Sequence, residues 1–229
     1  MKLREMHIIK WHITPPSLIL TDRSTTLPNM SPQTDTRTRI LHSARELIYT
    51  RSYADVGVAE ICKQAGVQKG SFYHFFPSKQ DLVLAILDEV FAELDTELFN
   101  RAFHAGLPPL ERLRQLPLLV AAYQDAMKAG SGHMPGCPFG NLALEMSTRD
   151  EAIRSKADSM FCNMEAYFRQ ALDEARDAGE IGVVDIEATA QAMLGYLEGI
   201  MLLAKTRNEP ELIRRLGPAL ADIRILKTN

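Results

Sequence analysis

In the stretch 130-GSGHMPGCPFGNLALEM-146, two side chains have chemically useful types, the Cys137 thiol and the His133 imidazole. They stand four residues apart and could share a soft metal ion. Two ligands do not close a tetrahedral site, so no metal is expected. The local chain suggests other chemistry. Pro138 suits the first position of a helix, and the run that follows continues it, which puts Cys137 at the N-cap. A thiol there feels unpaired N–H groups and a partial positive charge, both of which favour the thiolate, a nucleophile toward electrophiles and oxidants. A protonated His133 close by would push the same way. The alternative is that Cys137 is a small buried hydrophobe in a connecting loop. Of the other two thiols, Cys62 falls in an apolar helical pattern and should be inert, and Cys162 is the candidate resolving partner. Three sparse cysteines make no disulfide framework, which points to a reducing, cytoplasmic setting.

No other constellation suggests catalysis. No glycine-rich phosphate loop follows a strand, and no Ser-His-Asp set stands out from scattered residues. The chain is therefore expected not to be an enzyme and to need no cofactor. No apolar run approaches the roughly 20 residues of a membrane span, so no membrane partner is expected.

Charge is unevenly placed. The 229 residues carry a net charge of -3, yet residues 36–80 hold seven Lys/Arg against three acids, and residues 81–229 hold 15 against 23. A basic module on an acidic body suggests one end that binds a polyanion and another with a different task.

The elements that must position these groups are helices. In 36-TRTRILHSARELIYTRS-52, Ile40, Ala44, Leu47 and Ile48 share a face. A short helix at 58–65 ends before Gly66, which can take positive φ. Another spans 68–76 and stops at Pro77. Ser78 caps a long helix, with Asp81 three residues on. Further helices are predicted near 110–128, 138–147, 150–178, 186–206 and 209–226, with a kink at Pro218. The fold class is all-α with about nine helices. It divides into an N-terminal three-helix, helix-turn-helix module at 34–80 and a C-terminal helical body at 81–229.

Two short helices behind a basic first helix fit the helix-turn-helix plan, in which one helix enters the DNA major groove. Phe72, Phe75 and Phe76 can face inward. Gln68, Lys69, Ser71, Tyr73 and His74 then face out, and Gly70 lets the backbone approach closely. Lys79 lies in the first turn of the next helix, whose free N–H groups favour phosphate. Arg37 adds positive charge on the first helix.

The literal residues go further. The stretch 61-ICKQAGVQKGSFYHFFPSKQDLVLAILDEVF-91 closely resembles the N-terminal signature of the tetracycline-repressor (TetR) family, through Ala65-Gly66-Val67, Lys69-Gly70-Ser71, Phe72-Tyr73-His74, Phe75-Phe76 and Ser78-Lys79. That resemblance implies a dimeric DNA-binding repressor with a ligand-sensing body. It assigns DNA contacts to Gln68, Lys69, Ser71, Tyr73, His74 and Lys79. Many members open the second helix with Thr-Ser or Thr-Thr, whereas this chain has Val56-Gly57. The phosphate contact there would fall to the backbone N–H of Gly57 or Val58. The Gly-Cys pair before an apolar run also looks like a TetR branch in which some members sense electrophiles or oxidants through that cysteine.

In the body, Met193, Leu194, Leu197 and Met201 on one helix, and Leu216, Leu220 and Ile223 on the next, form apolar stripes suited to a four-helix homodimer interface. Gly195 and Gly199 would admit a close neighbour. Phe91, Phe103, Tyr123, Met127, Cys137, Phe139, Asn141, Met146, Met160, Met164 and Phe168 are candidates for an apolar small-molecule effector pocket. Taken singly, each Met and aromatic reads first as plain core; a body packed solid would instead suit a DNA-bound interaction protein that docks a protein partner and has no ligand pocket. Residues 1–33 read as a disordered tail, and Met30 is a candidate alternative start.

Overall fold

The computed structural model describes residues 32–227; the expected tail and the alternative start at Met30 lie outside them. α1 (Pro32–Thr50), α2 (Val58–Ala65) and α3 (Lys69–Phe75) form the head. α4 (Lys79–Leu94) leads out of it and is continued by a π-helical stretch, Asp95–Phe99, and by α5 (Asn100–Ala102) as one rod. The body adds α6 (Pro109–Ser131), α7 (Pro138–Met146), α8 (Glu151–Asp177), α9 (Ile186–Arg207) and α10 (Glu211–Leu216), which runs into a 3-10 stretch, Gly217–Asp222. With the rod counted as one helix, the described residues hold nine helices and no strand, the all-α class expected.

Local signals explain the boundaries. Gly66 adopts φ 64, ψ 38, and the N–H groups of Gly66 and Val67 return to the carbonyls of Lys63 and Cys62. This double closure ends α2 and turns the chain into α3. The Ser78 hydroxyl accepts the Asp81 N–H at 3.0 Å and donates to the Asp81 carboxylate at 2.7 Å. Asp150 and Asp185 cap α8 and α9 through the N–H groups of Ile153 and Ala188, each at 3.0 Å. The head packs on Ile40, Ala44, Ile61, Phe72 and Phe76. Phe72 is fully buried, and removing such a ring from water contributes roughly 2–3 kcal/mol.

Polar contacts tie the head to the rest. Arg37 meets Glu89 at 3.2 Å and Arg45 meets Glu93 at 2.6 Å, both between α1 and α4. Gln80 of α4 donates to the Asp150 carboxylate at 2.7 Å. From the last turn of α7, Glu145 accepts the backbone N–H groups of Tyr53 at 3.1 Å and Ala54 at 2.7 Å, in the α1–α2 loop.

The end of the chain departs from expectation. Instead of one kinked helix over 209–226, α10 stops at Leu216 and the 3-10 stretch stops at Asp222. Pro218 brings no N–H to continue α10, and the Gly217 backbone lies against Pro117 of α6. Residues 223–227 lie outside any helix, and Ile223 is extended. The Ile225 carbonyl accepts the Asp185 N–H at 2.8 Å, and its N–H donates to the buried Thr189 hydroxyl at 3.0 Å.

Candidate nucleic-acid interface and buried cavity

On α3, Gln68, Lys69, Gly70, Tyr73 and His74 are exposed and Ser71 is half-buried, while Phe72 is turned into the head. Tyr73 keeps 52% of its surface exposed, a large aromatic held outward on a seven-residue helix. Gln68 occupies the N-cap position without capping through its side chain. Gly57 likewise heads α2 with no side-chain cap, which leaves backbone N–H groups for an anion. Arg37 lies 5.4 Å over the Phe76 ring and pairs with Glu89. Exposed pairs contribute little, so Glu89 holds Arg37 only weakly.

Lys79 needs correction. Its ammonium does not stand free for a phosphate. It donates to the Tyr53 carbonyl at 2.7 Å and the Val56 carbonyl at 3.0 Å, and lies 4.0 Å from the centre of the Tyr53 ring. Burial lowers its pKa, and the Glu145 carboxylate counters that. Lys79 thus braces the α1–α2 loop from inside, while Glu145 holds the same loop by its N–H groups.

A cavity of about 50 Å³ lies where α1, α4, α6, α7, α8 and α9 converge. Of the residues expected around a pocket, Tyr123, Met127, Cys137, Asn141 and Met164 line it. Phe91, Phe103, Phe139, Met146, Met160 and Phe168 do not. Phe139 is fully buried and packs on Phe91 with ring centres 6.1 Å apart. Phe103 and Phe168 belong to an aromatic cluster with Phe99 and Tyr167 at the end of the rod. Met146 and Met160 are buried core residues. Sequence reasoning missed Tyr49, Gln124 and Glu198, polar groups in the cavity wall.

The dimer stripe is also revised. Met193, Leu194, Leu197, Met201 and Leu220 are buried inside the protomer, and Leu216 and Ile223 are half-buried against its core. Leu197 and Met201 line the cavity. The outward face of α9 instead carries Gly195, Gly199 and Leu202, the last 54% exposed. Beside it runs an open groove of about 450 Å³, bounded by Leu144, Phe161, Leu202 and Lys205.

Cys137 and Glu198 stand between groove and cavity, since both line each. Cys137 is the N-cap of α7, as expected, and its sulfur accepts the Gly140 N–H at 3.3 Å. Its electrostatics run against the expected thiolate. Burial pushes the thiol pKa well up and the Glu198 carboxylate pushes it further, against the pull of the Gly140 N–H. The nearest titrating partner is thus an acid, while His133 is exposed. Glu198 is itself raised by burial and steadied by its hydrogen bond with the thiol. Gly140 permits this approach, because a Cβ there would collide with the Glu198 carboxylate. Cys62 is buried and Cys162 exposed. Among the described residues, no group of three His, Cys, Asp or Glu is placed to hold a metal ion.

A chain of polar groups crosses from head to body beside the cavity. Arg45 of α1 bonds Glu93 of α4, and Glu93 accepts the Tyr123 hydroxyl of α6 at 2.9 Å. Arg45 also faces the Tyr49 ring, 5.5 Å from its centre. Burial raises the pKa of both phenols, so both keep their protons at neutral pH.

The comparisons with known proteins agree with this arrangement. The head matches the profile of bacterial regulatory proteins of the tetR family over residues 40–86, and the body matches a tetracyclin repressor-like C-terminal domain over residues 109–220. The chain belongs to the TetR family. This TetR-family transcriptional regulator is 34% identical over 174 residues to the transcriptional regulator AcuR of Cereibacter sphaeroides, covering 75% of this chain and 77% of that protein. It is 29% identical over 154 residues to the repressor NemR of Escherichia coli, covering 65% and 73%. Among solved structures, the regulatory protein TetR from Rhodobacter sphaeroides superposes with a TM-score of 0.70 at 30% identity, over 83% of this chain and 99% of that one. The reduced form of Escherichia coli NemR gives 0.65 at 25% identity, over 85% and 100%. No helix among the described residues is long and apolar enough to cross a membrane.

Proposed function

We propose that this TetR-family regulator is a cytoplasmic homodimeric repressor. It binds a two-fold-symmetric operator and is released by a small-molecule effector in the cavity. Gln68, Lys69, Tyr73 and His74 of α3 read the major groove, Ser71 and the N–H groups at Gly57 and Val58 meet phosphates, and Lys79 positions the loop before α2. Two relatives, NemR and DhaR, are named transcriptional repressors. The partner covers the outward face of α9, where Leu202 and the open glycines stand.

One observation carries the effector reading. The cavity is walled both by α1 of the head and by the start of α7, whose far end holds the α1–α2 loop through Glu145. A ligand there has differential contact with any two placements of the head, which is what a switch requires. The test is selection of bound sequences from random duplex DNA, followed by titration of the selected duplex at several salt concentrations. A palindrome bound by a dimer, with affinity falling steeply as salt rises, is expected. A monomer on DNA, or a flat salt response, overturns the reading.

A second reading, release by oxidants or electrophiles through Cys137, is favoured by the similarity to NemR, which was solved in a reduced form. The acidic partner and raised pKa of this thiol oppose it. Operator release by hypochlorite in wild type but not in Cys137→Ser would establish it.

A further inference from the structure

Tyr49 belongs to the reading head, yet its ring forms part of the cavity wall. Its hydroxyl exposes less than 1 Å² and makes no hydrogen bond of good geometry among the described residues; the Arg45 guanidinium beside it can only donate, so the phenol proton has no acceptor. Unpaired buried hydroxyls are rare, because each loses its bonds to water without replacement. The other polar side chains of the wall are occupied. Tyr123 donates to Glu93. The Gln124 amide exchanges two hydrogen bonds with the Gly136 backbone, each 3.2 Å. Asn141 donates to the Pro135 carbonyl at 2.9 Å and accepts from Lys205 at 2.7 Å. Glu198 is bonded with the Cys137 thiol. Tyr49 alone in the wall has a buried side-chain oxygen without a partner among the described residues.

We propose that Tyr49 is an effector-binding residue whose hydroxyl donates to an acceptor oxygen, carbonyl or carboxylate, of a small and otherwise apolar molecule. This rests on the reading of the cavity as the effector site. The chemistry follows from the surroundings. The free function of the phenol is its proton, and the Arg45 guanidinium against the ring opposes a cationic ligand at that hydroxyl; Glu198 also lines the space, but burial raises its pKa and the Cys137 thiol bonds it. Val90, Leu94, Leu98 and Phe99 line the space with hydrocarbon. The volume of about 50 Å³, at roughly 10–15 Å³ per water-sized particle, suits a ligand of about three to five heavy atoms. Met127, Met164 and Met201 give the wall some freedom to adapt. Because Tyr49 travels with α1, a ligand bonded to it prefers one placement of the head. By reciprocity, operator DNA weakens ligand binding by the same factor that ligand weakens operator binding.

The experiment compares the full chain with Tyr49→Phe, which keeps the ring and removes the donor. Four probes of similar size are titrated by calorimetry and ligand-observed NMR: butan-2-one, propanoate, propylammonium and pentane. Operator binding of both proteins is measured in parallel. An acceptor-bearing probe should bind wild type best and bind Tyr49→Phe about tenfold more weakly, while pentane does not distinguish the two proteins. Preference for butan-2-one identifies a carbonyl ligand, and preference for propanoate a carboxylate. The assignment is overturned if Tyr49→Phe binds these two as tightly as wild type, if propylammonium binds best, or if no probe binds wild type. Failure of wild type to bind any operator would instead sink the repressor reading itself.

Discussion

Replacing Lys79 with methionine keeps an unbranched side chain along the loop and removes the ammonium. Two carbonyls, of Tyr53 and Val56, then lose their donor, and the Tyr53 ring loses its cation. A hydrogen bond from a charged group contributes about 1.5–3 kcal/mol, and an exposed cation–ring contact about 0.5–1 kcal/mol. The side chain is only partly buried, and water can satisfy some of what is lost. The expected cost is therefore about 2 kcal/mol. With a urea slope of roughly 2 kcal/mol per M, the unfolding midpoint falls by about 1 M. Circular dichroism during a urea titration measures this without DNA. The salt dependence of operator binding, taken with the same variant well below its transition, should keep its slope, because no phosphate contact is lost. The reasoning fails if the midpoint is unchanged and the slope becomes shallower by about 0.9 per subunit, the signature of a missing phosphate contact.

Other outcomes follow from the same contacts. Tyr49→Phe removes a buried hydroxyl without a partner and should raise stability by about 1 kcal/mol in the same titration; a loss of similar size would mean the hydroxyl is paired. Glu145→Ala should speed hydrogen exchange at Tyr53 and Ala54 at a cost of about 1–2 kcal/mol local to that loop, with the amides of α8 and α9 unaffected. Toward a thiol reagent, exposed Cys162 should react first, and buried Cys62 and Cys137 only as the chain unfolds. The folded chain keeps the Cys137 proton beyond the ordinary thiol value of 9.0, so unfolding releases it more readily. That contribution to stability is full below pH 9 and is lost as pH rises above it, a decline that Cys137→Ser should reduce.

The head was legible because its signals are local. Gly66, Ser78 with Asp81, and the alternation of Phe72 with exposed neighbours act within a few residues of themselves. The N-cap position of Cys137 was readable for the same reason. Its chemistry was not, because burial by distant helices, and then Glu198 arriving from α9, 61 positions further along, outweigh the pull of the helix start. Lys79 was misread by the same kind of distant contact, with carbonyls 23 and 26 residues before it. A list of methionines and aromatics cannot separate wall from filled core, since both are apolar. Phe139 packs solidly against Phe91, while Met164 reaches the space. Tyr49 stands outside the α1 stripe of Ile40, Ala44, Leu47 and Ile48 and carried no signal in the sequence; only the convergence of six helices reveals its buried hydroxyl.

α7 has a geometry that sets how small a disturbance can matter. Cys137 caps one end at the cavity wall, and Glu145, eight residues on, grips the α1–α2 loop. At about 1.5 Å per residue the two lie about 12 Å apart along the axis, and a rigid helix pivoting by about 5° at its capped end swings the other by about 1 Å. The bond from Ala54 to Glu145 is 2.7 Å long, and an ångström of displacement takes such a bond outside useful range. The helix is then a lever with its fulcrum at the thiol: a rotation too slight to disturb the core could still unlatch the loop that leads into α2.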